Sequence, residues 1–223
     1  MMTQILQSPE PIVYQGHFGE FTITKSDRLS VIIYRSGLMI AALSFALGST
    51  LVLWQGNNPA VIKALTPIYG CFCLALGLSL VTIHIYMAIL HRLLQLFWII
   101  GTITTVILAI NSTQPLFLVV YTNPITILGV GFTFAALTGI YFKEAFCFNR
   151  LETKFLTPLV PFLLLSHMAD FLLLEVKEFL LGIWAFLFIV FAIRKVFQAI
   201  PPDIGDKSVF EYLHKKQEEV AHS

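Results

Sequence analysis

S-G-L-M-I-A-A-L-S-F-A-L-G-S-T-L-V-L-W, residues 36–54, runs nineteen positions without an acid or a base. A helix rises about 1.5 Å per residue, so about 20 apolar residues cross the roughly 30 Å of hydrocarbon in a bilayer. The run is too long for a signal-peptide core, and no small-residue cleavage site follows it, so it is expected to stay in the membrane. Before it, residues 1–28 are polar, with Glu10, Glu20, Lys25, Asp27 and Arg28 scattered through them. The whole chain is 57% hydrophobic and 12% charged, against about 25% charged in soluble domains. So few charges cannot cover a water-facing surface, and lipid is the solvent this composition requires. A net charge of +1 offers no electrostatic footprint for nucleic acid.

The same rule predicts five further spans: Ala64–Ile83, Leu93–Ile110, Pro124–Phe142, Phe155–Ala169 and Phe179–Ile193. Pro124 suits a first helical turn. Apolar character in the second span drifts on to Leu90. The last two runs are uncharged for only 15 residues each, about 22 Å of helix. Between them, D-F-L-L-L-E-V-K-E is too apolar for a solvated loop and reads as an interfacial hairpin connection. Lys177, Arg194 and Lys195 can snorkel to complete these spans. The fold class expected is all-α, a polytopic membrane bundle of six helices.

Cytoplasmic segments retain Lys and Arg, which orients the bundle. With both ends inside, twelve basic residues fall on the inner side and only Lys63 and Lys177 outside. The expectation is a multi-pass protein with both termini cytoplasmic. It divides into an N-terminal cytoplasmic segment (1–28), a six-helix transmembrane domain (29–197) and a cytoplasmic tail (198–223). In the tail, Pro201-Pro202 stops the last helix, and Ser208 and Glu211 have capping-box spacing for a short new one, which Val209, Phe210 and Leu213 would dock. F-G-E-F-T-I-T near the N-terminus alternates too briefly to predict a strand.

Gly131, Ala135 and Gly139 recur at near-turn spacing, and small residues so placed let helix backbones approach closely. Ala42, Ala46 and Thr50 are a looser counterpart. Pro158 and Pro161 fall in the first turns of the fifth span and imply a kinked entry. The two three-helix halves, 28–110 and 124–197, show no self-similarity of the kind inverted-repeat transporters carry.

Ionisable residues near spans are the candidates for function, because charge at membrane depth is costly. Lys143-Glu144 interrupts an apolar run and reads as the place where the fourth span meets the inner surface, with Arg35 as a depth-matched partner for Glu144. His84 and His91, seven apart, would share a face of a continuous helix about 10 Å apart. That is too far for one metal, though either imidazole could ligate a tetrapyrrole. The alternative is hydrogen bonding to water or backbone near the interface. His167 and Asp170 have the spacing of a proton-handling or substrate pair; alternatively Asp170 simply ends the helix in headgroups. Cys71-x-Cys73 lies in an apolar run without zinc spacing. Spans one to four contain no acid or base, which disfavours an ion-coupled carrier, and no zinc-protease, nucleophile-elbow or phosphate-loop motif occurs.

G-E-F-T-I-T (19–24), Y-R-S-G (34–37), T-I-H-I-Y (82–86), G-V-G-F-T-F-A-A-L-T-G (129–139), K-E-A-F-C-F-N-R-L-E (143–152) and D-I-G-D-K-S-V-F (203–210) carry a resemblance. With them the chain resembles a family of integral membrane proteins of cyanobacteria and plastids known as a domain of unknown function. That resemblance implies a photosynthetic setting, a plasma or thylakoid membrane, and transfers no catalytic residue. Two functions of different class stay open. One is a non-enzymatic scaffold, assembly factor or accessory subunit within a larger complex. The other is a small-solute transporter or intramembrane enzyme using His167 and Asp170.

Overall fold

The computed structural model describes residues 12–85, 87–209 and 212. Helices follow one another as α1 (Lys25–Gln55), α2 (Pro59–Thr82), α3 (Ala88–Asn111), α4 (Leu116–Thr122), α5 (Ile127–Phe148), α6 (Leu151–Ala169), α7 (Leu174–Val196) and α8 (Pro201–Ile204). Before them, β1 (Val13–Gln15) and β2 (Glu20–Thr22) pair antiparallel. Two compact units divide the chain: residues 33–198, and the described residues before 33 with those after 198.

The fold is an all-α polytopic membrane bundle. Among the described residues, five helices are long and apolar enough to cross a membrane: α1, α2, α3, Pro124–Phe148 and α7. The sixth long helix, α6, spans 19 residues and carries Glu152, Lys154, Pro158 and Pro161. Expected boundaries shift in a consistent direction. α5 continues to Phe148 past Lys143 and Glu144, whereas the uncharged run ends at Phe142. α6 begins at Leu151, so its prolines lie in the helix interior rather than in its first turns. The α6–α7 connection is only 170–173, and the expected interfacial segment's Glu175 and Lys177 already belong to α7. α4 has no counterpart among the expected elements; L-F-L-V-V-Y-T is apolar but too short to show a period.

Local chemistry sets the ends. Asn58 caps α2 by accepting from the Ala60 N–H at 3.0 Å, with Pro59 at the first helical position. α5 stops where Asn149 turns left-handed at φ 51°, a conformation asparagine tolerates. At the N-terminus of α1, the Thr24 N–H donates to Asp27 Oδ2 at 2.8 Å while the Asp27 N–H donates to Thr24 Oγ1 at 3.2 Å. This reciprocal pair satisfies two otherwise orphaned donors.

In the 33–198 unit, α3 lies closely along α5. A Cβ on Gly101 would come within 2.4 Å of the Thr133 backbone nitrogen, and one on Gly139 within 2.2 Å of Leu94. The expected stripe is therefore only partly the contact. Gly139 belongs to it, Gly131 has Leu164 no closer than 4.0 Å, and the tightest approach is through Gly101 of α3. On α1, Thr50 of the looser stripe is exposed. Phe45, Phe72, Phe134, Trp184 and Phe188 form the aromatic centre of this unit, with ring centroids 4.3 to 6.1 Å apart in neighbouring pairs.

In the other unit the hairpin and the tail interlock. The His17 N–H donates to Asp206 Oδ2 at 2.6 Å and the Phe18 N–H to Ser208 Oγ at 3.1 Å. Phe18 stacks on Tyr212 with centroids 4.1 Å apart, and Lys207 Nζ sits 2.9 Å from Asp27. Three residues of the F-G-E-F-T-I-T segment, Glu20–Thr22, thus form a strand. Ser208 does begin a helical turn, with its N–H donating to Asp206 Oδ1 at 2.9 Å. The expected capping partner Glu211, with Phe210 and Leu213, lies outside the described residues.

Candidate functional site: a buried ionic cluster

Glu144 projects from the last turns of α5 into the bundle and is 0% exposed. Its Oε2 lies 2.6 Å from Lys195 Nζ of α7, and its Oε1 2.9 Å from Lys143 Nζ. The Tyr34 hydroxyl of α1 donates to the same Oε1 at 3.2 Å. Lys195 is also fully buried, and its ammonium stands 4.3 Å above the Phe148 ring. An aromatic face attracts a desolvated cation, so the ring completes the coordination that water would otherwise supply.

Around this centre lies a second tier. Arg150 donates through Nη2 to Gln198 Oε1, which also accepts from Lys195 Nζ at 3.3 Å. Arg194, its side chain 56% exposed, reaches Glu152 Oε2 at 2.7 Å, and Arg150 Nη1 lies 3.9 Å from Glu152 Oε1. Arg35 donates to the Gln198 and Val196 carbonyls at 2.6 and 3.4 Å, satisfying oxygens at the C-terminal end of α7. Tyr34 is itself fixed, because Ser79 Oγ of α2 donates to its carbonyl at 3.0 Å.

Lys143-Glu144 falls four to five residues before α5 ends at Phe148, and the Glu144 charge is buried in the bundle because two lysines and a phenol meet it. Arg35 is not Glu144's partner, although both sit in the same part of the bundle. Lys195 does not snorkel outward; it is the most buried cation of the cluster. Nothing in hydropathy distinguishes a buried, paired lysine from a flanking one, which is why sequence reasoning misses it. The remaining signal is that Glu144, counted at about 100° per residue, falls opposite the small-residue stripe, where either another helix or headgroups would face it.

His84 and His91 are not on one helix. α2 ends at Thr82, Ile83 is extended, and α3 starts at Ala88. His91 Nε2 approaches the Leu80 carbonyl at 2.6 Å, and Gln95 donates to the same oxygen at 3.3 Å. These donors cap a carbonyl orphaned where α2 terminates. The backbone-bonded alternative therefore describes the His91 Nε2, which lies against the Leu80 carbonyl.

His167 lies in the last turn of α6, and Asp170 lies just past the end of that helix. Asp170 is the left-handed C-cap of α6 at φ 48°, its side chain 87% exposed and 2.6 Å from Lys177 Nζ. The hydrogen bond from Lys177 holds its carboxyl below the usual carboxylate range. His167 stacks on Tyr121 of α4 with centroids 5.4 Å apart. The helix-terminating alternative for Asp170 is the one realised.

Residues 78–212, more than half of the chain, match the family model of an uncharacterised integral membrane protein (DUF2301). The match takes in Lys143, Glu144, Arg150, Glu152, Arg194 and Lys195. No curated protein and no solved structure matches. The chain belongs to this family of integral membrane proteins.

Proposed function

We propose that this chain, as a DUF2301 member, is a non-enzymatic scaffold, assembly factor or accessory subunit of a larger complex in a photosynthetic membrane. The observation that carries the reading is the saturation of Glu144. Its two oxygens are taken by Lys143, Lys195 and Tyr34, so its charge ties α1, α5 and α7 together instead of facing a substrate. Intramembrane ionic groups in carriers and enzymes serve transported or reacting species; here the pairing is internal and rigidifying. The second unit supports the same reading. A hairpin interlocked with the tail offers an ordered surface for protein contacts at the chain's two ends.

The photosynthetic setting, thylakoid or plasma membrane, rests on the motif resemblance. Both ends on the cytoplasmic side rests on the twelve-to-two distribution of Lys and Arg. Purification of the tagged protein in mild detergent tests the function. Co-migration with defined subunits of a photosynthetic or respiratory complex is the expected result, and recovery of the protein alone refutes it. Impermeant labelling of single cysteines placed at Leu29 and Tyr212 tests the orientation. Labelling of the two from opposite faces overturns it.

A further inference from the structure

Between α1, α2, α4, α5 and α7 lies a cavity of about 230 Å³. Its α5 wall, Val130 and Phe134, is 10 to 14 residues before Glu144, so it lies about 15–21 Å along the helix from the ionic cluster. Phe45, Tyr69, Phe72, Phe117 and Phe134 make the wall almost wholly carbon. The Tyr69 hydroxyl is engaged with Thr133 and Thr105 at 3.2 and 3.4 Å. Ser49 differs. It lines the cavity, is 6% exposed, and makes no hydrogen bond to any described residue.

A hydroxyl on so buried a residue that makes no hydrogen bond calls for an explanation. Water is a poor one here, since a buried water needs two to four polar partners and apolar cavities stay dry. An apolar cavity of about 150 Å³ takes benzene, so this one has room for about nine carbons. Four of the helices that wall it, α1, α2, α5 and α7, are long and apolar enough to cross a membrane, whose interior supplies hydrocarbon. We propose that the cavity binds a membrane-dissolved hydrocarbon ligand, about nine carbons of which fill it, bearing one oxygen acceptor that takes the Ser49 hydroxyl. The reading is independent of the scaffold assignment.

Trp184 reports on the site, its ring centroid 4.3 Å from that of Phe45 and 5.3 Å from that of Phe134. In protein carrying Trp54→Phe and Trp98→Phe, reconstituted in nanodiscs, 1-bromononane should quench Trp184 saturably. Displacement by 2-nonanone should need about fivefold less ligand than displacement by nonane, the worth of one net hydrogen bond. Ser49→Ala should equalise the two, and membrane partitioning cancels in that comparison. Gly48→Phe should abolish saturable quenching, since a Cβ there meets Ile68 and Leu65 at an ordinary 3.6 and 3.8 Å and the ring projects into the cavity. Quenching that never saturates, or an unchanged ketone-to-alkane ratio in Ser49→Ala, overturns the proposal; that variant decides the matter if Gly48→Phe does not fold.

Discussion

Replacing Glu144 by glutamine removes one charge and leaves the shape of the side chain intact, which isolates the electrostatic role of the cluster. With an effective dielectric of about 20, an ammonium at 2.6 Å and another at 2.9 Å attract the carboxylate by about 6 kcal/mol each. Against that gross gain of about 12 kcal/mol stands the removal of three ions from water, at about 4 kcal/mol per ion. The two terms nearly cancel, so the intact cluster adds little net stability. Its members cannot be removed singly, however. Glu144→Gln would leave Lys195 fully buried, with Gln198 and an aromatic ring but without the carboxylate of Glu144. The expected loss is about 3–5 kcal/mol, a fall in Tm of roughly 6–20 °C for a chain of this size.

The double variant Glu144→Leu with Lys195→Met is the informative comparison. Removing the two fully buried charges leaves Lys143, 9% exposed, as the remaining ion of the cluster, so stability should recover part of what Glu144→Gln loses. Thermal unfolding followed in one detergent at one protein concentration measures all three proteins. A Glu144→Gln midpoint within about 2 °C of wild type, or a double variant that loses the sum of its singles, refutes the ionic-lock account.

The α3–α5 contact makes a sharper statement about small residues than the sequence does. Gly101→Ala should cost about 1–3 kcal/mol through overpacking against the Thr133 backbone, while Gly131→Ala should be near neutral; the same unfolding assay compares them. At the tail, the hydrogen bond from the Ser208 side chain, followed by that from the His17 N–H, holds the Asp206 carboxyl below its ordinary value. A depressed carboxylate contributes stability above its unfolded pKa and loses it as pH falls through the lowered folded value. Exchange of the His17 and Phe18 amides should therefore accelerate on acidification within that window, and Asp206→Asn should remove the pH step; a wild-type profile in that variant refutes the assignment. Asp170→Asn should leave the unfolding midpoint unchanged, because its carboxyl is exposed and screened by solvent.

The first three spans and the start of the fourth are legible because lipid imposes a minimum uncharged length, and a run such as 36–54 satisfies it in only one way. What hydropathy misreads is charge that is paired inside. Lys143 and Glu144 look like an exit, so on that reading α5 loses its last six residues, 143–148, and the site with them. The break between α2 and α3 is equally hidden. T-I-H-I-Y contains neither Gly nor Pro, so the two histidines fall on one helix in the sequence pattern although Ile83 is extended. The hairpin is faintly legible, but strands of three residues carry too little alternation to stand without their partners, Asp206 and Ser208, nearly 190 positions away in the chain. The cavity has no sequence signature. Ser44, Gly48 and Ser49 look like packing residues until the aromatic rings opposite them are placed.

The cluster also changes how the charge bias itself is to be read. Lys143, Arg150, Arg194, Lys195 and Arg35 are five of the twelve basic residues on which the proposed orientation rests, and all five are engaged in this one part of the bundle. A rule that counts cations assigns them a single job, holding a segment on one side of the membrane during insertion. Their partners give them a second one. Glu144 and Glu152 bring together cations from helices that are consecutive in sequence and from α7, so residues counted toward the proposed orientation also close the helix ends against one another. Replacing Lys195 by arginine separates the two jobs: the charge count is unchanged, but a planar guanidinium cannot occupy a fully buried site shaped for an ammonium over the Phe148 ring. Orientation should be preserved while the unfolding midpoint falls. A variant that inserts correctly and melts like wild type would show that the count alone matters and that the buried geometry does not.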